Sequence, residues 1–219
     1  MTRPTAHLLP ALALPAFLAQ LALLALLAAS HPARAAEPLA SADDGSYSLN
    51  LPADFVRIPP LELFLFEHPG KQAPVPHEEL AAFRRTHAGF QKKADTWFVT
   101  PFMLITRETG RKRTPQELFM DHVLVERDRE DAAPPGTAFL EKEHFPTRRM
   151  HYYKEAGFNR ALGRQVISAT YTWLTSDGFL RLTWYITEDQ RPIYEEALHQ
   201  AALSLALSPQ AAYKKENAQ

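Results

Sequence analysis

Apolar residues recur along this chain with a period that changes from stretch to stretch, and each period predicts an element. Tyr47, Leu49 and Leu51 alternate with Ser48 and Asn50, a half-buried strand ended by Pro52. Leu61 to Phe66 is apolar on nearly both faces and reads as a strand covered on two sides. From His77 to Lys93, the residues Leu80, Phe83, His87 and Phe90 form one stripe of a helix. Trp97 to Thr106 reads as a strand, with Pro101 assigning it to an edge or a bulge. Thr114-Pro115-Gln116-Glu117 starts a helix: Thr114 caps the free amides, Pro115 has no amide to lose, and Glu117 reaches back to Thr114. Leu118, Phe119, His122 and Val123 form its expected buried side. Asp131 to Gly136 is a loop, and Phe139–Phe145 and His151–Phe158 are shorter strands.

The strongest local pattern runs from Gln165 to Thr187. Asp177-Gly178 suits a two-residue hairpin turn, because both tolerate positive φ. Counting outward pairs Trp173 with Leu182, Tyr171 with Trp184, Ala169 with Ile186, Thr172 with Thr183 and Leu174 with Arg181. The large aromatics other than Tyr185 and Phe179 then share one face. A final helix is expected from Gln190 to Leu207. Asp189 would be its cap, and Tyr194, Ala197, Leu198, Ala201, Ala202 and Leu205 its apolar stripe.

Composition is uneven in a way that changes this picture. Residues 1–35 hold no acidic side chain, carry Arg3 near the amino terminus, and contain a long Leu/Ala run broken by Ser30-His31-Pro32. Ala33 and Ala35 supply the small side chains that signal peptidase requires, so cleavage is expected between Ala35 and Ala36. The alternative is a retained membrane anchor, opposed by Pro10, Pro15 and Gln20 within the run. Residues 36–45 are then expected to be a flexible lead-in, 46–208 a single α+β domain, and 209–219 a polar tail. The expected location is the periplasm or the exterior, with the membrane touched only through the signal peptide before cleavage. The chain has no cysteine, which excludes disulfides, thiolate metal sites and a cysteine nucleophile. Lys+Arg 24 against Asp+Glu 25 gives no support to nucleic-acid binding.

The strand Tyr47 to Leu51 with Phe55 soon after, the closing hairpin Ala169–Trp173 to Gly178–Thr183, and the final helix Tyr194-Leu198-Leu205 together resemble the PsbP-like superfamily. That superfamily includes the photosystem II extrinsic protein PsbP, a Ran-binding nuclear import factor, and exported bacterial proteins of unknown role. The resemblance implies an antiparallel sheet flanked by helices, an α/β/α sandwich with the C-terminal helix packed on the sheet. It implies binding rather than catalysis, and it carries over no functional residue.

The chemistry-bearing motifs are sparse. There is no Gly-rich phosphate loop, Gly-x-Ser-x-Gly, Ser-x-x-Lys or His-Glu-x-x-His. His87 and His122 lie on or beside apolar helix stripes. In a strand over 139–145, Glu141 and Glu143 share a face while His144 points away, which divides the one dense group of metal-ligand types; neither a metal nor another cofactor is expected. Arg107, Arg111, Lys112 and Arg113 make a basic loop around Gly110, either solvated or aimed at an acidic partner, anionic lipid or phosphate. Thr170, Thr172, Thr183, Arg181 and Tyr185 line the second hairpin face, which meets solvent, meets a helix, or floors a shallow site. The candidate binding surface is therefore Arg107, Arg111, Lys112, Arg113, Arg181 and Tyr185, for an unidentified protein or anionic ligand. Two function classes remain: an exported, non-enzymatic binding or accessory protein, and a periplasmic hydrolase with a dispersed site. A pocket with a Ser or carboxylate near His144 or His151 would favour the second.

Overall fold

The aromatic hairpin sits in the middle of a seven-stranded antiparallel sheet. The computed structural model describes residues 39–132 and 137–214, with the side chains of 125–132 and 139 left aside. The expected signal peptide, its Ala35–Ala36 cleavage site, the loop residues 133–136 and the tail beyond Lys214 lie outside the described residues. Strands β3 (Phe55–Arg57), β4 (His87–Lys92), β5 (Phe102–Arg107), β6 (Ala138–Phe145), β7 (Met150–Asn159), β8 (Arg164–Leu174) and β9 (Phe179–Ile186) lie in the order β3-β4-β5-β9-β8-β7-β6. A second sheet of three strands places β2 (Tyr47–Asn50) between β1 (Leu39–Ser41) and β10 (Ala206–Leu207). Helices α1 (Pro60–Glu67), α2 (His77–Thr86) and α3 (Pro115–Ala132) cover one face of the large sheet, and α4 (Arg191–Leu203) and the small sheet cover the other. The fold is α+β with its last helix on the sheet, as the sequence predicts. Among the described residues no helix is long and apolar enough to cross a membrane.

The main core lies on the α4 face. Tyr171, Trp173, Leu182, Trp184 and Ile186 pack there with Tyr47, Leu49, Leu198 and Ala202. The expected sharing of faces in the hairpin is present, but the register is displaced by two residues. Tyr171 faces Leu182, Trp173 faces Leu180, and Thr172 faces Arg181. The loop spans four residues and is closed by Thr175 N–H donating to the Gly178 carbonyl at 3.0 Å. Close approach, not positive φ, requires Gly178: a Cβ there would stand 2.2 Å from the Glu108 carbonyl oxygen. A shift of two conserves the face of every side chain, so burial could not expose the difference.

Four other expectations are corrected. Leu61–Phe66 is helical, not a strand: Pro60 presets the first turn, no β-branched residue follows, and a short apolar run does not distinguish the two states. The His77 helix stops at Thr86, whose hydroxyl donates to the Phe83 carbonyl at 3.2 Å. His87 is extended, so Phe90 belongs to β4. Pro101 precedes β5, which is an interior strand and loses no ladder amide to it. The final helix proper begins at Arg191 after a 3-10 turn that Thr187, not Asp189, caps with Gln190, and it ends at Leu203.

The described parts of the expected lead-in and polar tail are anchored. Leu39–Ser41 of the lead-in pairs with β2, and Ala40 is buried. In the tail Ala211 is buried, its carbonyl accepting from Ser176 N–H at 2.8 Å.

Candidate functional site

Antiparallel pairing brings four arginines to one end of the sheet. β3 and β5 both run opposite to β4, so their last residues, Arg57 and Arg107, project toward the same end, where β4 begins. Helix α2 ends there too. Its first turn carries Glu78 and Glu79 and its last turn Arg84 and Arg85, the arrangement that the helix dipole favours. The β1–β2 turn supplies Asp43 and Asp44, shaped by Ser46 N–H donating to Asp44 at 2.9 Å.

These elements enclose a half-open cleft of about 720 Å³. Its apolar floor includes Tyr47, Ala81, Ala88 and Ile105, and its rim carries Arg57, Arg84, Arg85 and Arg107 with Asp43 and Asp44. Asp43 accepts from Arg57 at 2.6 Å and from Arg84 at 3.0 Å. Those bonds, the Arg57 one foremost, hold its carboxyl below the usual range. Asp44 accepts from Arg107 at 2.6 Å. Burial works against its charge, but hydrogen bonds from Ser46 and the Arg107 guanidinium outweigh burial, and it too is lowered. Arg107 also donates to Asp177 at 3.3 Å, so four cations against three anions leave the rim with one positive charge in surplus. Arg107 is the most enclosed of the paired arginines, its side chain 14% exposed, and its Nε is buried without a partner. His87, on the same wall, is pushed toward its neutral form by burial.

Of the six residues of the expected binding surface, only Arg107 lines this cleft. Arg111 pairs with Glu117 at 3.1 Å, and Arg113 pairs with Glu108 and Glu117, which ties both to the start of α3. Arg181 reaches Asp121 at 3.4 Å, and the Tyr185 ring stacks on Phe102 with centroids 4.8 Å apart. Lys112 does not line the cleft. The capping box at Thr114 is formed: the Thr114 amide donates to Glu117 at 2.8 Å, and the Glu117 amide to Thr114 Oγ1 at 3.2 Å.

Sequence reasoning missed how α3 is turned. Leu118 is buried as expected, but Phe119 and Val123 are exposed. The helix directs Leu118, Asp121 and His122 inward because the sheet beneath is polar: His144, His151, Thr172 and Arg181 are successive cross-strand partners. Asp121 accepts from His151 Nε2 at 2.9 Å. Burial opposes its charge, yet the His151 hydrogen bond and the Arg181 charge hold its carboxyl below the usual range. The His122 ring lies 5.6 Å from that of His144 and 5.4 Å from that of His151. Among the described residues no group of three such side chains could hold a metal ion. His151 is fully buried, whereas the Asp121 side chain keeps 28% of its surface exposed.

No family model and no curated protein matches the chain. Solved structures do. A protein of Bacteroides thetaiotaomicron is 11% identical with a TM-score of 0.46, over 80% of this chain and 50% of that one, so this chain spans half of its length. The Ran-binding protein Mog1p of Saccharomyces cerevisiae is 10% identical with a TM-score of 0.42, over 78% of this chain and 94% of its own. The cyanobacterial PsbP, CyanoP, of Synechocystis sp. PCC 6803 is 9% identical with a TM-score of 0.44, over 80% of this chain and 95% of its own.

Proposed function

We propose that this is an exported, non-catalytic binding protein that holds an organic anion with an apolar body in the arginine-rimmed cleft. The observation that carries the reading is Arg107. It lies at the cleft wall with an unpartnered, buried Nε–H, above an apolar floor. A buried donor without an acceptor costs free energy that an incoming carboxylate or phosphate oxygen would recover. The floor supplies the area to bury an alkyl or aromatic body, and the surplus rim cation sets the sign of the charge. Export rests on the pattern of residues 1–35.

Calorimetric titration with octanoate, and with octanol as its neutral counterpart, tests the cleft. Octanoate should bind and octanol should bind at least about tenfold more weakly, the worth of one charge-assisted contact. Arg107→Gln and Arg85→Gln should each reduce octanoate affinity. Equal binding of octanol, or full affinity in both variants, would refute the reading. Export has its own test: the extracytoplasmic protein should begin at Ala36, and intact Met1 in the membrane fraction would mean an anchored protein instead.

A further inference from the structure

The turn between β1 and β2 carries two carboxylates placed as the head of an incoming anion would be. Ala42 N–H donates to the Tyr47 carbonyl at 3.0 Å and Gly45 N–H to the Ala42 carbonyl at 3.0 Å, with Gly45 at a φ of +67° that favours glycine. So closed, the turn sets Asp43 and Asp44 against the arginines of the cleft rim. Asp43 gives one oxygen to each of two guanidinium groups: Oδ1 accepts from Arg57 at 2.6 Å and Oδ2 from Arg84 at 3.0 Å. A bound carboxylate would bridge two arginines in the same way. Asp44 divides its oxygens differently, Oδ1 accepting from Ser46 N–H at 2.9 Å and Oδ2 from Arg107 at 2.6 Å. Three of the four rim arginines thus already hold a carboxylate of the chain itself. These bonds are easily given up. The Asp43 and Asp44 side chains are 36% and 46% exposed, and exposed ion pairs are worth little. The turn hangs on β1, an edge strand of three residues of which Ala40 alone is buried, and such an edge opens at small cost.

We propose that the Asp43–Asp44 turn is an internal competitor for the cleft, holding its arginines until the anionic head of a ligand displaces it. The inference rests on the reading of the cleft as an anion site and adds what selects among anions. When a ligand carboxylate replaces an aspartate on an arginine, one charge-assisted bond is exchanged for another. The aspartate is moreover tethered, so it competes at a high effective concentration that a free carboxylate in solution has to match. An anion without an apolar body therefore gains nothing by lifting the turn. An anion with one also buries that body on the floor formed by Tyr47, Ala81, Ala88 and Ile105, and this second contribution drives the displacement. The turn thereby makes the cleft selective for amphiphilic anions over small ones.

The test titrates octanoate into the wild-type protein, Asp43→Asn, Asp44→Asn and the double variant. Asparagine keeps an oxygen for the Ser46 amide and removes the charge that holds the arginines. Octanoate affinity should rise about two- to fivefold in each single variant and about fivefold or more in the double one, the scale of exposed ion pairs. Asp95→Asn removes the same charge from an exposed position beyond the far end of β4, and should change affinity less than about twofold. A second readout needs no variant: in ¹⁵N spectra of the wild-type protein the Gly45 amide should shift along the octanoate binding curve, and acetate at the same concentration should leave it in place. Octanoate binding that is unchanged or weaker in the double variant overturns the inference and leaves the cleft standing, because the carboxylates would then orient the arginines rather than compete for them. An equal gain in Asp95→Asn, or an unmoved Gly45 amide in the octanoate complex, overturns it as well. Octanoate that binds none of these proteins overturns the inference and the cleft reading together.

Discussion

Two threonines on one face of β8 give a paired test of buried polarity. Thr170 and Thr172 are both buried, 7% and 0% exposed. Thr170 Oγ1 lies 2.9 Å from Thr183 Oγ1, while Thr172 Oγ1 has no partner. Replacing either by valine keeps the shape and the β-branch, so strand propensity and packing volume hardly change. At Thr170 the change breaks a bond and should cost about 1 kcal/mol, the net worth of a neutral hydrogen bond. At Thr172 it removes a hydroxyl that was stripped of water for nothing, a penalty of about 1–3 kcal/mol, so Thr172→Val should be neutral or stabilising. The two variants should therefore differ by roughly 1–4 kcal/mol. With a urea m value of about 2 kcal/mol/M, their midpoints separate by roughly 0.5–2 M, Thr172→Val the higher. Coincident midpoints, or a loss of more than about 1 kcal/mol in Thr172→Val, would refute the reasoning. The second result would mean that Thr172 shares a trapped water with its cross-strand neighbour His151, whose Nδ1 is likewise buried and unpartnered.

Gly178→Ala should destabilise by about 3 kcal/mol or more, because the new Cβ meets the Glu108 carbonyl oxygen at 2.2 Å and the Glu108 N–H to Phe179 bond of 2.8 Å holds that backbone in place; an unchanged denaturation midpoint would contradict this. Thr114→Ala should cost about 1 kcal/mol by removing the capping box, seen as a lower urea midpoint. Asp121→Asn should destabilise the protein at pH 7 by about 1–3 kcal/mol, through loss of the charged partner of His151 and Arg181. The folded carboxyl titrates below its ordinary value of about 4, so its contribution is complete above that value and is lost as pH falls through the lower folded one. The gap between wild type and variant in thermal melts should thus narrow from pH 5 downward, and a gap that stays constant to pH 2 would remove the linkage.

Elements with an unambiguous period were legible in the sequence. Tyr47–Asn50, the Thr114 capping box and the shared aromatic face of β8 and β9 all form as expected, and the two shorter runs from Phe139 and His151 are strands. Failures cluster where a pattern fits two structures equally well. The run Leu61–Phe66 is apolar all round, which a buried strand and a short covered helix satisfy alike. The stripe from Leu80 to Phe90 continues across the break at Thr86 because Phe90 faces the core from a strand as well as it would from a helix. Helix α3 shows the converse: its apolar residues point outward because the surface it covers is polar, and only the pairing of β6 through β9 reveals that surface. The cleft was half legible. Arg107 stood out in the basic loop, but Arg57, Arg84 and Asp43 reach it from other elements, and single-chain spacing carries no trace of that meeting.

The small sheet sets an order on how the domain can close. β2 gains β1 at once across a tight turn, but its other edge has to wait for Ala206–Leu207. The same delay governs the bond from the Asn50 amide to Ser204 Oγ, 2.8 Å long and 154 residues apart in sequence. Until Ala206–Leu207 pair with it, β2 therefore has one unfinished edge, and β10 is the clasp that seals it. Shortening the chain to before Ala206 would leave an open strand beside Tyr47 and Leu49, the kind of edge that recruits a neighbouring chain.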